Sequence, residues 1–447
     1  MKIIVFGTGY VYEKNKHKLV DFDLIAFFDN DSTKYRQVLD GAMIDKPENH
    51  YKYEYDAVVI MSVYYNDMRK QLLELGVPED KIIDKKHRGF FEKCVIKHEY
   101  RVRKDNKDAK RILIISNELS NTGAPIVLFN MASILLKLGY LVDIISLKKG
   151  PLLYSFIDIG ANVTIYDWDE MIDDNVFVKY DLIILNTIVV YQIAKRLADK
   201  SIPVLWWLHE DKYYFENFNI SSEDIPVGNN IYPLAVSDRV KSAYIEYTGR
   251  SNVADFCYGL EEIKLRNEKK GSKIVCAIIG YVGKVKGHDV LLEAIRKNKK
   301  HWKDIVEFWI IGSISDKDKR LFESFEFVKV WGNIGHNRLM DLYSEIDIVL
   351  CASRHESMSV AVVEGMMFKK LCIVSRETGN AKYCIPYENA LLIESGDSES
   401  LTKELNWALS NKEKWQDISE KGYKVFQDNY SMNAFEERVL KVVSKYV

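Results

Sequence analysis

The chain has 447 residues, of which 47% are hydrophobic and 29% charged, and its formal net charge at pH 7 is −2. At about 150 residues per domain this length predicts three domains with real cores, and a charge near zero argues against nucleic acid as a partner. No apolar run of about 18 residues is present to span a bilayer, and the first residues predict a strand rather than a signal peptide, so we expect a cytoplasmic protein.

The first predicted elements form a small α/β unit. Residues 2–6 read as a strand before a Gly-x-Gly turn, 24–28 as a second strand before an acid, and 57–62 as a third strand before a helix. The turn matches part of the dinucleotide-binding fingerprint, but Tyr12 stands at the third glycine position. We therefore predict a Rossmann-like accessory domain over residues 1–100 that does not work as an NAD domain.

A basic segment, residues 85–111, connects this unit to the rest of the chain. It contains eleven Lys or Arg residues and four acidic residues, and it also contains Phe90 and Phe91. Basic residues near an anionic lipid surface contribute up to about 1 kcal/mol each, so the segment is suited to peripheral contact with a membrane. A solvated linker packed on the neighbouring domain fits the same pattern, and both interpretations stay open.

Two further strands end in groups that suit a ligand site. Residues 111–116 lead through a polar turn to Gly123 and a helix, and a glycine there lets the backbone approach a ligand closely. Residues 204–210 predict an apolar strand that brings His209 and Glu210 to its carboxyl end. A lone His in such a place is more often structural than catalytic, so the pattern alone does not decide its role.

A glycine-containing turn with lysines follows the strand predicted at residues 273–279. Gly280 opens the turn, Lys284 and Lys286 lie within it, and an amphipathic helix begins near Val290. The backbone N–H groups of a helix start and a lysine ammonium can hold a phosphate together. A turn of this kind is a weak signal when it stands alone.

Glu356 and Glu364 are the most informative pair in the sequence. They follow a buried-strand pattern at residues 346–351, the first in the polar loop and the second in the helix that the loop opens. Open α/β sheets bind ligands at the carboxyl ends of their strands, and a helix start favours an anion such as a diphosphate. Two carboxylates beside such a site suit a sugar nucleotide, whose sugar and ribose both carry hydroxyls.

The stretch 342–375 resembles the retaining glycosyltransferases of family 4, whose hallmark is this pair of glutamates at this separation. The resemblance begins near Lys110 and implies a GT-B architecture, in which two Rossmann-like α/β domains face each other across the donor site. It implies that Glu356 binds the donor sugar and that Glu364 binds the nucleotide ribose. A nucleoside-diphosphate sugar would be the donor substrate, with no further cofactor and no metal.

The resemblance assigns further residues to the donor site, and these are Gly123, His209, Gly280, Lys286, Ser357, Met358 and Ser359. Lys286 would meet the departing diphosphate and His209 would lie near the donor sugar, which makes them catalytic candidates together with Glu356. The family commonly carries Arg directly after the first glycine of the turn, where this chain has Tyr281. The charge of the leaving group would therefore rest mainly on Lys286, with help from Arg354 or Lys284.

These expectations divide the chain into an accessory domain at 1–100, an acceptor-side domain at 101–265 joined by a helix at 431–447, and a donor domain at 266–430.

The expected activity is retaining transfer to a glycan, lipid-linked or protein acceptor, as in bacterial surface polysaccharide synthesis. A sugar-nucleotide epimerase or isomerase of the same shape is one alternative. A non-catalytic partner subunit is another, which Tyr281 keeps open, and a homo-oligomer is open as well.

The cysteines and two acidic turns complete the sequence. Six scattered cysteines without a close pair read as small core residues rather than a disulfide or zinc framework. Two Asp-x-Asp turns, at residues 29–31 and 167–169, match the pattern by which another glycosyltransferase fold holds a divalent metal. Acidic turns are frequent and neither lies near the glutamate pair, so we expect no metal site.

Overall fold

The computed structural model describes residues 1–19, 22–62, 64–83, 98–100, 109–166, 172–217, 220–265 and 271–447. The chain divides into two compact units, Met1–His98 and Glu99–Val447. Most of the basic segment, Cys94 and the second Asp-x-Asp turn lie outside the described residues, so the predictions made for them stay predictions. No helix of the described ranges is long and apolar enough to cross a membrane.

The first unit contains one six-stranded sheet. Its elements are β1 Lys2–Phe6, α1 Tyr10–Asn15, β2 Asp23–Phe28, β3 Val38–Leu39, β4 Ala42–Asp45, β5 Ala57–Ile60, α2 Tyr65–Glu74 and β6 Ile82–Ile83. The strands lie in the order β3-β4-β2-β1-β5-β6, and β3 is antiparallel to β4. The other five strands are parallel and follow the order 3-2-1-4-5 along the chain, which is that of a Rossmann-like sheet.

Tyr12 fills the place that the dinucleotide fingerprint gives to a glycine. Its side chain is buried and packs edge-on against Phe27, with 4.8 Å between the ring centroids. A glycine there would let the helix lie close to the first strand. Asp29, the acid after β2, already has partners, because Lys34 Nζ lies 2.9 Å from its Oδ2 and the Asp31 N–H donates a 2.9 Å bond to its Oδ1. A dinucleotide ribose would have to displace these groups.

Removal of residues 1–105 should leave nucleotide binding intact, because every candidate donor-site residue lies later in the chain. The dissociation constant of a nucleoside diphosphate, measured by calorimetric titration, should stay within about twofold of the full chain, as for independent distant sites. Losses should appear in acceptor binding, oligomerisation or association with anionic vesicles. A truncated protein that stays folded but no longer binds nucleotide would show that the first unit contributes to the donor site.

The second unit begins with an eight-stranded sheet, which we call the sheet of domain N. Its strands are β7 His98–Tyr100, β8 Arg111–Ser116, β9 Leu141–Ser146, β10 Asn162–Ile165, β11 Leu182–Asn186, β12 Val204–Leu208, β13 Ile231–Ala235 and β14 Ala254–Asp255. The helices of domain N are α3 Gly123–Lys137, α4 Leu153–Asp158, α5 Tyr191–Leu197, α6 Lys212–Asn217 and α7 Asp238–Thr248. The sheet order is β14-β13-β12-β11-β8-β9-β10-β7.

Domain C carries the third sheet, which is parallel throughout and has six strands. They are β15 Ile274–Ile279, β16 Val306–Ile311, β17 Val328–Gly332, β18 Ile348–Cys351, β19 Leu371–Ser375 and β20 Leu391–Ile393, in the order β17-β16-β15-β18-β19-β20. Its helices are α8 His288–Trp302, α9 Asp316–Glu323, α10 His336–Leu342, α11 Val360–Met367, α12 Ser398–Ser410 and α13 Trp415–Asn429. The last helix of the chain is α14 Met432–Val443.

The strand order fixes where a ligand can bind. In both sheets the order along the chain reverses beside the first strand, between β8 and β11 in domain N and between β15 and β18 in domain C. Ligands of open parallel sheets bind outside the carboxyl ends of the strands at such a reversal. The predicted GT-B architecture of two Rossmann-like domains is therefore present.

The strands are apolar because parallel sheets are covered on both faces. In β8, Ile112, Leu113, Ile114 and Ile115 have no exposed surface. The described cysteines are buried and free, as expected for small core residues, and these are Cys257, Cys276, Cys351, Cys372 and Cys384. The sequence patterns that predicted these strands thus reflect burial on both sides.

The last helix returns to domain N. Phe435 on α14 lies against Trp207 of β12, with ring centroids 5.8 Å apart. The chain passes from domain N to domain C near Leu260 and comes back after Tyr430, and the two passages touch. At that point the Leu260 N–H donates a 2.8 Å hydrogen bond to the carbonyl oxygen of Tyr430.

Candidate active site

The turn after β15 presents Lys286 at the carboxyl end of the sheet. Gly280 follows the strand directly with φ of 137°, and its N–H donates a 2.8 Å bond to the Ile311 carbonyl oxygen. This positive φ favours glycine, and a Cβ there would lie 3.7 Å from Lys286 Cε. Gly280 therefore allows the backbone to change direction at the end of β15, and the aliphatic part of the Lys286 side chain lies beside it.

Gly287→Ala should destabilise the turn that carries Lys286. Gly287 has φ of 74°, and a Cβ there would lie 2.0 Å from the backbone carbonyl oxygen of Ala352, at the end of β18. Overpacking of about 1–3 kcal/mol should add to a left-handed backbone cost of about 1 kcal/mol. Gly249→Ala is the matched control, because Gly249 has φ of 70° and its Cβ would meet open space among the described residues. If chemical denaturation showed the same decrease in the free energy of unfolding for both variants, the predicted clash at Gly287 would be contradicted.

Lys286 and Glu356 form an ion pair at the centre of the site. The ammonium donates a hydrogen bond to Glu356 Oε2, and the two side chains are 20% and 13% exposed. Burial lowers the pKa of Lys286, but the Glu356 carboxylate outweighs that effect and the pKa is raised overall. Lys286 is therefore a cation at neutral pH. The ring of Tyr281 lies beside it, with its centroid 5.9 Å from Nζ.

Arg354 is engaged with Asp289 at the start of α8. Its Nη1 and Nη2 lie 2.7 and 2.9 Å from the two carboxylate oxygens of Asp289, and Nη1 donates a 2.6 Å bond to the Lys284 carbonyl oxygen. A bidentate pair of this kind is strong and directional. The Lys284 side chain is exposed. These contacts give no support to the predicted help from Arg354 or Lys284, and they join the Lys286 turn to the loop that carries Glu356.

Residues that follow β19 form hydrogen bonds with the loop that begins at Glu356 and fix its position. Glu356 and Thr378 form an isolated β-bridge, and the Gly379 N–H donates a 3.0 Å bond to the Glu356 carbonyl oxygen. Asn380 has no exposed surface and bonds the backbone of Ser359 twice, accepting from its N–H at 2.6 Å and donating to its carbonyl oxygen at 3.3 Å. The loop is therefore rigidly positioned before any ligand binds.

Ser359 differs from the other predicted loop residues. Its hydroxyl accepts a 3.4 Å bond from the Val362 N–H and so caps α11. Ser357 and Met358 instead line a cavity between domains N and C. Ser359 thus supports the helix that carries Glu364, and its own side chain is buried.

Glu364 lies in the second turn of α11 and is only 4% exposed. The Tyr343 hydroxyl donates a 2.8 Å hydrogen bond to its Oε2. Burial raises the pKa of Glu364 to about 7, against the lowering effect of this hydrogen bond. Among the described residues no Lys or Arg pairs with the carboxylate, so hydrogen-bond donors must satisfy its charge. The hydroxyls of a ribose are donors of that kind.

A cavity of about 310 Å³ lies between the two domains. Domain C contributes Glu356, and domain N contributes Gly123 and His209. A Cβ on Gly123, the first residue of α3, would lie 3.7 Å from a methyl carbon of Val360, the first residue of α11. The two helix starts therefore approach each other across the cleft. The volume is at the lower end of the range of about 300–1,000 Å³ for small-molecule sites.

His209 lies at the domain N wall of the cavity. Its Nε2 is 2.9 Å from the side-chain oxygen of Asn186, whose amide nitrogen donates a 3.4 Å bond to Ser116 Oγ. Because that amide oxygen only accepts, Nε2 carries the proton. Burial lowers the pKa of His209 to about 3, so the ring is neutral at pH 7. His209 can therefore contact a sugar without adding charge to the site.

Several contacts join domain N to domain C near the loop of Glu356, among them an ion pair between Lys382 and Asp238 of α7 at 2.8 Å. Tyr213 on α6 stacks on His355, with 4.6 Å between ring centroids and 15° between ring planes. Arg239 on α7 bonds Glu377 of domain C and lies 3.3 Å from Asp211 Oδ2. No sequence motif marked these residues, because each contact joins side chains far apart in the chain.

Family comparisons agree with this geometry. Residues 260–425 match the family described as glycosyl transferases group 1, and residues 108–225 match the one described as glycosyl-transferase family 4. The chain carries glycosyltransferase domains of group 1 and family 4. Residues 1–83 match the C2185-like N-terminal domain. The predicted glycosyltransferase domains are thereby confirmed, while retention stays a prediction, and a comparison with curated proteins gives no match.

Several solved structures share the fold of residues in the second unit. Alr3699/HepE of Anabaena in complex with UDP-glucose is 16% identical, with a TM-score of 0.62, over 75% of this chain and 99% of that chain. A glycosyltransferase of Rickettsia africae is 17% identical, with a TM-score of 0.61, over 76% and 99%. WaaG, a glycosyltransferase involved in lipopolysaccharide biosynthesis, is 11% identical, with a TM-score of 0.57, over 74% and 99%. At these identities the likeness concerns the fold alone.

Proposed function

We propose that this glycosyltransferase moves a sugar from a nucleoside-diphosphate sugar to a glycan, lipid-linked or protein acceptor, with retention at the anomeric carbon and without a metal ion. The observation that carries the proposal is the Lys286–Glu356 pair at the strand-order reversal of domain C, beside a cavity that domain N closes. An ammonium there suits the charge of a leaving diphosphate, and a carboxylate suits sugar hydroxyls.

The proposed mechanism is a front-face displacement. The sugar–phosphate bond breaks while the acceptor oxygen bonds the anomeric carbon from the same face, and the departing phosphate oxygen takes the acceptor's proton. Lys286 turns from Glu356 toward the diphosphate and stabilises the charge that develops there. Glu356 is then available to accept hydrogen bonds from the donor sugar. No protein nucleophile is required.

The donor and acceptor follow from the fold relatives as proposals. HepE was solved with UDP-glucose, which makes that compound the first donor to test. WaaG acts in lipopolysaccharide biosynthesis, and we propose an acceptor of the same broad kind, a surface polysaccharide or glycoconjugate in assembly at the cytoplasmic face of the membrane.

The test is a screen of nucleoside-diphosphate sugars with candidate acceptors. Product formation is followed by release of nucleoside diphosphate, and the anomeric configuration is read from proton coupling constants in the NMR spectrum. We expect one donor to react with retention in the presence of EDTA. An inverted product would refute the front-face mechanism, and release of nucleoside diphosphate without a transfer product would instead indicate an epimerase.

A non-catalytic partner subunit is the second candidate, and Tyr281 is the observation that favours it. Its side chain is 43% exposed and stands where the family commonly has Arg. An aromatic ring beside Lys286 supplies no full charge to a leaving diphosphate. Failure to hydrolyse or transfer any sugar nucleotide, combined with binding to a second glycosyltransferase, would support this role.

A further inference from the structure

Glu210 lies on the domain N wall of the cavity, opposite Glu356 of domain C. It follows His209 at the carboxyl end of β12. Its Oε2 accepts hydrogen bonds from two backbone N–H groups, that of Ile188 at 2.9 Å and that of His209 at 3.1 Å. These bonds fix the carboxylate in place without neutralising its charge, and Oε1 takes part in neither of them.

The backbone that presents the Ile188 N–H is strained. Thr187 has φ of 75° and ψ of 159°, a region that β-branched residues rarely enter, and it is buried. Its hydroxyl accepts a 3.3 Å bond from the Val189 N–H, and its carbonyl oxygen accepts a 2.8 Å bond from Trp206 Nε1. Such strain persists only where neighbouring contacts impose it, and it is concentrated at functional sites. Here the strained peptide precedes the N–H that holds Glu210.

The charge of Glu210 has no counter-ion among the described residues, since no Lys or Arg of those ranges pairs with it. Burial raises its pKa to about 7, although backbone hydrogen bonds from Ile188, His209 and Glu210 itself act in the opposite direction. The neighbouring His209 is neutral. A half-buried carboxylate without a counter-ion is costly to the fold and is stabilised by a ligand that donates a hydrogen bond. A position kept only for packing would be more stable with a neutral side chain.

The cavity lining shows which ligands are compatible. Three carboxylates line it, and two of them are paired with a cation, Glu118 with Lys148 and Glu356 with Lys286. The third is that of Glu210, for which the described residues provide no such partner. Beside Glu210 a phosphate or uronate would therefore meet like charge at short range, whereas a hydroxyl group would meet a hydrogen-bond acceptor. Asn117 and Thr122 add neutral polar groups to the same lining.

We propose that Glu210 is the acceptor-binding carboxylate of domain N, and that its subsite takes a neutral, hydroxyl-bearing sugar rather than a phosphorylated or carboxylated one. The inference rests on the proposed glycosyl transfer. The candidate groups for the donor diphosphate and ribose, Lys286 and Glu364, belong to domain C, and His209 is the candidate contact of domain N with the donor sugar. Glu210, the domain N carboxylate of the lining that pairs with no cation of the described residues, is thus left for the acceptor. One hydroxyl of that sugar donates a hydrogen bond to Glu210 and orients the ring in the cavity.

The test measures equilibrium binding and does not depend on turnover. Neutral methyl pyranosides of the gluco, galacto and manno series, together with methyl glucuronide, are titrated by saturation-transfer difference NMR with the full chain. We expect a neutral pyranoside to bind and the glucuronide to bind at least roughly tenfold more weakly. Glu210→Gln should weaken the neutral pyranoside by roughly tenfold or more, since a hydrogen bond to a charged group is lost.

The variant preserves the local backbone, because the Gln side-chain oxygen can accept the same two N–H bonds. Glu246→Gln is the matched control, since Glu246 lies on α7 in an exposed ion pair with Lys212 and outside the cavity lining. It should bind the pyranoside like the wild type. The comparison of pyranoside with glucuronide uses the wild type alone and holds even if the variant fails to fold.

Three results would overturn the proposal. They are a wild type that binds none of the neutral pyranosides, a glucuronide that binds as tightly as they do, and unchanged pyranoside affinity in Glu210→Gln. Titration of the same samples with UDP tests the proposed function separately. Absence of UDP binding in the wild type would count against glycosyl transfer, while a loss of UDP affinity in Glu210→Gln equal to its pyranoside loss would place Glu210 in the donor site.

Discussion

Lys286→Ala should lower kcat by on the order of a hundredfold or more and weaken nucleotide binding much less. In the protein without ligand the Lys286 ammonium is paired with Glu356. We therefore expect its interaction with the diphosphate to become strong only as negative charge develops there during bond cleavage. Neither neighbour replaces it, because Arg354 is engaged with Asp289 and Tyr281 carries no positive charge. Steady-state kinetics of sugar transfer and calorimetric titration with the nucleoside diphosphate measure the two effects.

Lys300→Ala is the control for this variant. Lys300 is an exposed residue of α8, so its removal changes the net charge of domain C equally without touching the site. Its kcat should stay within about twofold of the wild type, as for most exposed substitutions. The wild type should also remain active in EDTA. A near-normal kcat in Lys286→Ala, or inactivation by EDTA that a divalent ion reverses, would contradict the mechanism.

Glu364→Gln should weaken binding of the nucleoside diphosphate itself by about 1–3 kcal/mol, because a charge-assisted hydrogen bond to the ribose is lost. Glu356→Gln should spare the nucleotide and impair binding of the sugar nucleotide or turnover. Titrations of both variants with UDP and UDP-glucose separate the two roles. Equal losses of UDP affinity in both variants would show that the two glutamates do not bind different parts of the donor.

The same carboxylate predicts a pH dependence. Burial raises the pKa of Glu364 to about 7, so it is ionised at pH 8 and largely protonated at pH 6. A protonated carboxyl accepts hydroxyl hydrogen bonds less well, and the dissociation constant of UDP should therefore rise by up to about tenfold as pH falls through 7. Protonation of the UDP phosphate affects the Glu364→Gln variant equally. The difference between wild type and variant should vanish at low pH.

The strand ends could be predicted from the sequence for a physical reason. Parallel strands covered on both faces read as apolar runs, and their carboxyl ends meet at one edge of the sheet. The predicted strand at 204–210 begins with β12 and extends two residues beyond its end, and that at 273–279 differs from β15 by one residue. The meeting of Lys286 and Glu356 followed from the family resemblance, since 70 residues separate them and no local pattern links them.

Contacts between distant side chains could not be predicted in this way. Nothing near Glu364 in the sequence indicates that Tyr343 bonds it, or that the carboxylate is almost wholly buried. Likewise the protonation of His209 depends on Asn186, which lies on a different strand. The role of Ser359 as a helix cap required the backbone geometry of its loop. These features depend on tertiary packing rather than on spacing along the chain.

The chain crosses between domain N and domain C twice, and the contact between Leu260 and Tyr430 joins these two crossings into a single hinge. Because both passages are joined at one point, domain N and domain C can rotate about it, whereas sliding would break the hydrogen bond that joins them. A rotation that widens the cleft would have to part Arg239 from Glu377 and undo the stack formed by Tyr213. We therefore expect the rate of product release to depend in part on contacts at the rim of the cleft, outside the proposed donor and acceptor sites.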